Sequence, residues 1–460
     1  MASYLSYDIL VQVLELLTDD LPSLYHSSLV NWDFNHAASR ILYARIQYSP
    51  LHRHVLDLKD RGTDFGTSMI ASACTAQNAQ LVVELEINGF ISTRSSPLFI
   101  LCDTIAHAIE KFINLSKLTL CPITYHQSLF TKTLELLPAL THLRELTVNS
   151  SCMGSETAPL LTRIEGLRKL TLRSPGRLIL DSLPGWLERL SPTLVGLHLK
   201  DNCGSITPGV LKSLVPHVCE RLRDLTLGLS YSLTDDDVFS FMAQLPHLER
   251  LQLHYPDSMN EQQLKPPKFL PNLTRLKYFA VNYIPTHTRH DVLALCRWVK
   301  RIISFSPLEH IRLMCVEPPV SIPFDSLVDH LVKKHHKTLR VLDFGYAYAG
   351  VDAAKAVFTS CLQLEEFRIS ARRGVLDTFQ ELSPRLARLH TAAFRIRNAK
   401  MKKALVDDDL ATEIITHGPP SLRRLLVNGA MWEGSWVSGN DADVRFVVRR
   451  VRGLGGNTVT

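Results

Sequence analysis

The side chains able to do chemistry fall into a few groups. Two acidic runs, Asp235 to Asp237 and Asp407 to Asp409, have the composition of a metal site or an acid/base pair. Each immediately precedes an apolar pattern of helical period, where carboxylates favour the positive end of the helix dipole, so the expected role is structural. His52 and His54 form an H-x-H pair, but no third ligand follows at metal spacing. His335 and His336 end a helical pattern and, being adjacent, do not face each other. The nine cysteines run from Cys74 to Cys361 without a C-x-x-C pair, which points to reduced, buried thiols and not to zinc or a disulfide framework. The hydrolase, metalloprotease, phosphate-loop and dinucleotide motifs are missing from the sequence. The expectation is a chain without catalytic residues, bound metal or cofactor.

Around these groups the chain is dominated by one repeated pattern, Leu-x-x-Leu-x-Leu. It occurs as Leu115/Leu118/Leu120, Leu143/Leu146/Val148, Leu167/Leu170/Leu172, Leu194/Leu197/Leu199, Leu222/Leu225/Leu227 and Leu248/Leu251/Leu253. Val82/Leu85/Ile87 precedes these. Weaker copies follow at Leu276/Phe279/Val281, Leu308/Ile311/Leu313, Leu339/Leu342/Phe344, Leu364/Phe367/Ile369, Thr391/Phe394/Ile396 and Leu422/Leu425/Val427. The mean step is about 28 residues, inside the range of leucine-rich repeats. Between copies the period changes from two to helical: Thr207 and Pro208 open one helix, and Thr234 precedes another with Val238, Phe241, Met242 and Leu245 on one face. A strand-plus-helix unit cannot bury its apolar edge alone. The predicted fold is therefore an α/β leucine-rich-repeat solenoid, a horseshoe of parallel strands with outer helices.

In such strands the leucines face inward and the intervening residues face the concave side. The early copies place Glu84, Glu86, Glu145 and Asp224 there. From Arg250 onward the columns turn basic, and Arg250, Arg312, Arg368, Arg395, Arg397 and Arg424 are the candidate substrate-binding residues. Guanidinium forks suit carboxylate or phosphate, so an acidic or phosphorylated segment is one expected ligand; a solvated, mixed surface is the alternative. Polar, Pro-rich stretches around Pro266 and from Glu317 to Pro323 are expected to be loops.

Residues 1–45 stand apart from the repeat. Ile9, Leu10, Val13, Leu14 and Leu17 line a first helix, Pro22 opens a second, and Trp32 begins a third. So small a module has little core of its own, and its apolar surface is expected to meet a partner or the first repeat. Leu5, Asp8, Ile9, Leu10, Leu17, Asp20, Leu21, Leu29 and Trp32 match the pattern of the F-box, with Ser6 where the family has proline; serine can cap the same helix. Followed by the repeats, this stretch resembles the F-box/leucine-rich-repeat proteins abundant in fungi. The resemblance implies a substrate-recognition subunit of an SCF-type ubiquitin ligase. Its F-box would bind a Skp-type adaptor joined to a cullin scaffold, through Leu5, Ile9, Leu10, Val13, Leu14, Leu17, Leu21 and Trp32, while the repeats hold a protein substrate. A leucine-rich-repeat scaffold or inhibitor, with the first helices as a simple cap, is the alternative.

The 460 residues are 45% hydrophobic and 21% charged, too many for one ordinary compact core. A net charge of +6 without a basic stripe interleaved with aromatics argues against nucleic acid. The absence of an eighteen-residue apolar run argues against a membrane span, and residues 1–8 lack a secretory pattern. A cytoplasmic or nuclear protein is expected, divided into a helical module (1–45), a connecting segment (46–80), about thirteen repeats (81–428) and a C-terminal cap or tail (429–460).

Overall fold

The computed structural model describes residues 6–18, 20–50, 64–91, 98–126, 128–255, 270–285, 288–315, 322–397, 406–438 and 444–451. Leu5, the His52/His54 pair, the segment around Pro266 and most of the second Pro-rich stretch lie outside them. The chain divides into two units, Met1–Leu222 with Thr226–Ser232, and Arg223–Leu225 with Leu233–Thr460.

The first unit begins with three helices, α1 (Tyr7–Glu15), α2 (Leu21–Ser28) and α3 (Trp32–Leu42). Asp20 caps α2 by accepting from the Ser23 amide at 3.1 Å, and Asn31 caps α3 by accepting from the Phe34 amide at 2.9 Å. Ser6 occupies the cap position of α1, but its hydroxyl makes no capping bond, contrary to expectation. Leu10, Val11, Leu14, Leu24, Ala37 and Ala38 form the module's core, with Leu17, Phe34, Ile41 and Leu42 packed against it. The small alanines of α3 let the other helices approach closely.

Parallel strands follow at Arg45–Tyr48, Glu84–Ile87, Lys117–Leu120, Glu145–Val148, Lys169–Arg173 and Gly196–Asn202. Their register aligns Ile46, Leu85, Leu118, Leu146, Leu170 and Leu197 in one inward row. The sheet thus starts one strand earlier than the leucine pattern: Arg45–Tyr48 reads R-I-Q-Y, and only Ile46 occupies a leucine position. Outer helices such as Arg177–Leu190 bury one face, here Ile179, Leu180, Leu183, Trp186, Leu187 and Leu190.

The second unit stacks parallel strands Arg250–Tyr255, Tyr278–Tyr283, His310–Met314, Val341–Tyr348, Glu366–Ala371, Thr391–Ile396 and Arg424–Val427. The inward row is Leu251, Phe279, Ile311, Leu342, Phe367, Ala392 and Leu425. One copy is therefore corrected by two residues. Its true set is Leu389/Ala392/Phe394, because Phe367, Phe379 and Phe394 pack edge to face or tilted at 5.0–5.9 Å and fill the space that a leucine at 392 would need. The slip preserves facing, since strands repeat every two residues. Beyond the repeats, Ala430–Ser438 pairs antiparallel with Arg424–Val427, and Val444–Val451 pairs antiparallel with Ala430–Ser438. This hairpin covers the last parallel strand and buries Trp432. Each unit has the architecture of a leucine-rich-repeat solenoid of α/β class.

Candidate protein-binding surfaces

The acidic runs prove to be helix starts. Thr234 and Asp237 form a reciprocal capping box, and Asp407 accepts from the Leu410 amide at 2.9 Å. Each run also anchors an indole: Asp235 accepts from Trp298 Nε1 at 2.9 Å, and Asp408 accepts from Trp432 Nε1 at 2.7 Å. Burial raises the Asp235 carboxyl above the usual carboxylate range. His335 is buried, and burial together with neighbouring His330 pushes its imidazole down to about 4. Five cysteines are buried; Cys74, Cys102, Cys219 and Cys315 are only partly covered, and none of the nine forms a disulfide. Among the described residues, no group of three His, Cys, Asp or Glu has the geometry to hold a metal, and no helix is long and apolar enough to cross a membrane.

The helical module has two kinds of apolar residue. Leu10 and Leu14, expected to face a partner, are corrected to core positions: each is at most 3% exposed and packs among α1, α2 and α3. Leu17 is half-buried against the same core. Ile9, Val13, Leu21 and Trp32 do face solvent, and the structure adds Leu16, Tyr25, Leu29 and Val30. Ile9, Val13 and Leu16 lie at i, i+4 and i+7 on the outer side of α1. Leu21, Tyr25, Leu29, Val30 and Trp32 form a second strip along α2 and its junction with α3. Leu16 is 85% and Trp32 79% exposed. Scattered exposed leucines are ordinary, but eight large apolar side chains on three short helices mark a surface meant to be covered.

On the sheet face of the first unit, Glu84 meets Lys117 at 2.8 Å and Arg45 at 3.7 Å, and Arg45 also hydrogen-bonds Glu86. A neutral row crosses the same face, Thr119, Thr147, Thr171 and His198 in register; His198 Nδ1 lies 2.6 Å from Thr226 Oγ1.

On the second unit's face, four of the six candidate arginines meet carboxylates of their own unit. Arg250 lies 3.7 Å from Asp224 and 4.2 Å over the Tyr278 ring. Arg312 lies 3.7 Å from Glu366, Arg368 lies 3.8 Å from Asp343, and Arg424 lies 3.0 Å from Glu433. Asp224 and Asp343 sit one strand away and Glu366 two strands away, at separations of 25 to 54 residues in sequence, so these pairs cannot be read without the register. Arg395 and Arg397 differ. Arg395 lies 4.0 Å over the Tyr346 ring. Arg397 donates to Ser370 Oγ at 2.8 Å and to the Tyr346 carbonyl at 3.0 Å, and lies 5.4 Å over the Tyr348 ring. Burial, reinforced by the Arg395 charge, pushes the Arg397 guanidinium below its ordinary value.

The tyrosines were not legible as part of a site. They reach it because Gly345 adopts φ +51°, where a side chain would be strained, and the strand Val341–Tyr348 shifts register between Asp343 and Tyr348. The only signal in the sequence is the G-Y-A-Y stretch after a repeat leucine.

No protein-family model and no curated protein sequence matches the chain. Solved structures with a similar fold include a chain of the crystal structure of the Rad7 and Elc1 complex in yeast, 14% identical with a TM-score of 0.43, over 88% of this chain and 98% of that one. Another is the leucine-rich repeat-containing protein LegL7 from Legionella pneumophila, 18% identical with a TM-score of 0.40, over 63% of this chain and 91% of that one.

Proposed function

We propose that the protein is a non-catalytic substrate receptor of an SCF-type ubiquitin ligase, acting in the cytoplasm or nucleus. The observation that carries this reading is the apolar surface of α1 to α3, left uncovered on helices whose sequence resembles an F-box. In this reading Ile9, Val13, Leu16, Leu21, Leu29 and Trp32 dock on a Skp-type adaptor, which links the chain to a cullin scaffold. The repeats hold a target protein, and ubiquitin transfer follows from proximity, so no acid, base or metal is required of this chain. A helical module serving only as an end cap would bury its apolar side against the first repeat; here the exposed strips face away from the core that Leu10, Leu14 and Leu24 build. The test is direct binding of purified adaptor to the full chain and to a variant altered on these strips.

A further inference from the structure

The hairpin that closes the second unit moves the open edge of its sheet onto the strand Val444–Val451. We propose that this edge accepts an extended acidic segment of a partner protein as one more antiparallel strand.

The pairing pattern fixes which backbone groups are on offer. The Gly434 amide donates to the Arg423 carbonyl at 2.8 Å, so Gly434, and with it Trp432, turns its backbone toward the strand Arg424–Val427. Directions alternate along an antiparallel ladder, so Glu433, Ser435 and Val437 bond to their partners Arg449, Val447 and Arg445. Val444, Phe446, Val448 and Arg450 therefore turn their N–H and C=O groups to the other edge, where no strand pairs among the described residues. The register runs through eight pairs without a bulge, and the strand contains neither proline nor glycine, so the edge is straight enough to template another strand. It is also held in place before a ligand arrives. Gly434 leaves room for the Phe446 ring, which meets Trp436 edge to face at 5.2 Å, and Arg450 lies 5.7 Å over the Trp432 ring.

Charge selects the occupant. The strand reads V-R-F-V-V-R-R-V, and its three arginines are exposed with no acid among them. The acid opposite Arg449 is Glu433, which already lies 3.0 Å from Arg424. A second copy pairing through the same edge would bring six arginines onto two adjacent strands, and in the register centred on Val447 would set Arg445 opposite Arg449 twice. Residues 453–460, G-L-G-G-N-T-V-T, carry no acid either. Arg445 and Arg449 share one face, four residues and about 14 Å apart, while Arg450 lies on the other. An antiparallel segment with carboxylates four residues apart meets the first two, and a third carboxylate meets Arg450. Apolar residues between them lie opposite Phe446 and Val448. Main-chain hydrogen bonds then supply affinity and the alternating side chains supply selectivity.

The test uses the full chain and fluorescence polarisation with a labelled peptide, Thr-Glu-Glu-Val-Thr-Val-Glu-Thr, which sets its glutamates opposite Arg450, Arg449 and Arg445. The same peptide with lysine for glutamate should bind at least about tenfold more weakly. N-methylation of the two valines, whose amides face the Val448 and Phe446 carbonyls, should weaken binding at least about tenfold. N-methylation of the second glutamate and the central threonine, whose amides turn away, should leave it within about threefold. Arg445→Ser combined with Arg449→Ser should lower affinity at least about fivefold at an unchanged melting temperature. No measurable binding, equal binding of the lysine peptide, equal effects of the two methylation patterns, or an unaffected double variant would each overturn the proposal. Displacement of the peptide by oligothymidylate at equal concentration would assign the edge to nucleic acid and overturn it as well. A dimer of the full chain in sedimentation that the peptide dissociates would do the same in favour of a second copy. The edge belongs to the second unit and the adaptor reading to the helical module, so either can fail while the other stands.

Discussion

Replacing Leu16 by Gln and Trp32 by Ala tests the helical module without disturbing its fold. Leu16 and Trp32 are 85% and 79% exposed in the free chain, so neither contributes appreciably to the module's own core, and surface changes of this kind shift stability by about 0.5 kcal/mol or less. In an adaptor complex each would be covered. Burying a leucine-sized side chain is worth about 1.5–3 kcal/mol, and a tryptophan anchor at least as much. The double variant should therefore lose about 3–6 kcal/mol of binding, a factor of roughly 10² to 10⁴ in Kd. Titration calorimetry with the adaptor gives the affinity, and thermal unfolding followed by circular dichroism gives the fold. Leu14→Ala supplies the contrast: at 2% exposure it opens a cavity inside the module, costs about 2–5 kcal/mol of stability, and weakens adaptor binding only by unfolding the docking helices. Wild-type affinity in a folded double variant would refute both the docking surface and the function inferred from it.

Three further outcomes follow from positions in the repeats. Ala392→Leu should destabilise by about 1–3 kcal/mol in a denaturant titration, because Ala392 points inward among Phe367 and Phe394; a neutral effect would restore the two-residue shift in register. Asp408→Ala leaves the Trp432 indole N–H buried without its acceptor and should cost about 1–3 kcal/mol, with Asp408→Asn recovering most of it; equal losses in the two variants would show that the hydrogen bond contributes nothing. His335, whose imidazole sits at about 4 beside His330 and Lys334, is neutral when folded but titrates near 6.5 when unfolded. Its contribution, up to about 3 kcal/mol, is complete above pH 6.5 and falls away as the pH drops toward 4, so melting temperature should decline more steeply in the wild type than in His335→Leu. Parallel pH profiles would refute the assignment.

The solenoid was legible because its signal is periodic and redundant. Leucines at a step of about 28 residues, alternating with helical patterns, admit few other packings, and a single weak copy such as Thr391 to Ile396 could slip by two residues without hiding the fold. The acidic runs were legible for a related reason, since a cap and its helix are adjacent in sequence. What the helical module presents to a partner was not. Ile9, Leu10, Val11, Val13, Leu14, Leu16 and Leu17 surround α1 with apolar side chains, so helical period alone does not say which side meets α3; the packing of Leu10 and Leu14 against Ala37 and Ala38 decides it. The basic face shows the same division. Sequence placed six arginines on one side of the sheet through their period of two. Only strand register, which brings Asp224, Asp343, Glu366 and Glu433 beside four of them, and the left-handed turn at Gly345, which sets Tyr346 under Arg395, determined what these charges meet. Local order is written in neighbouring residues; electrostatic partnership depends on distances that exist only after the strands have stacked.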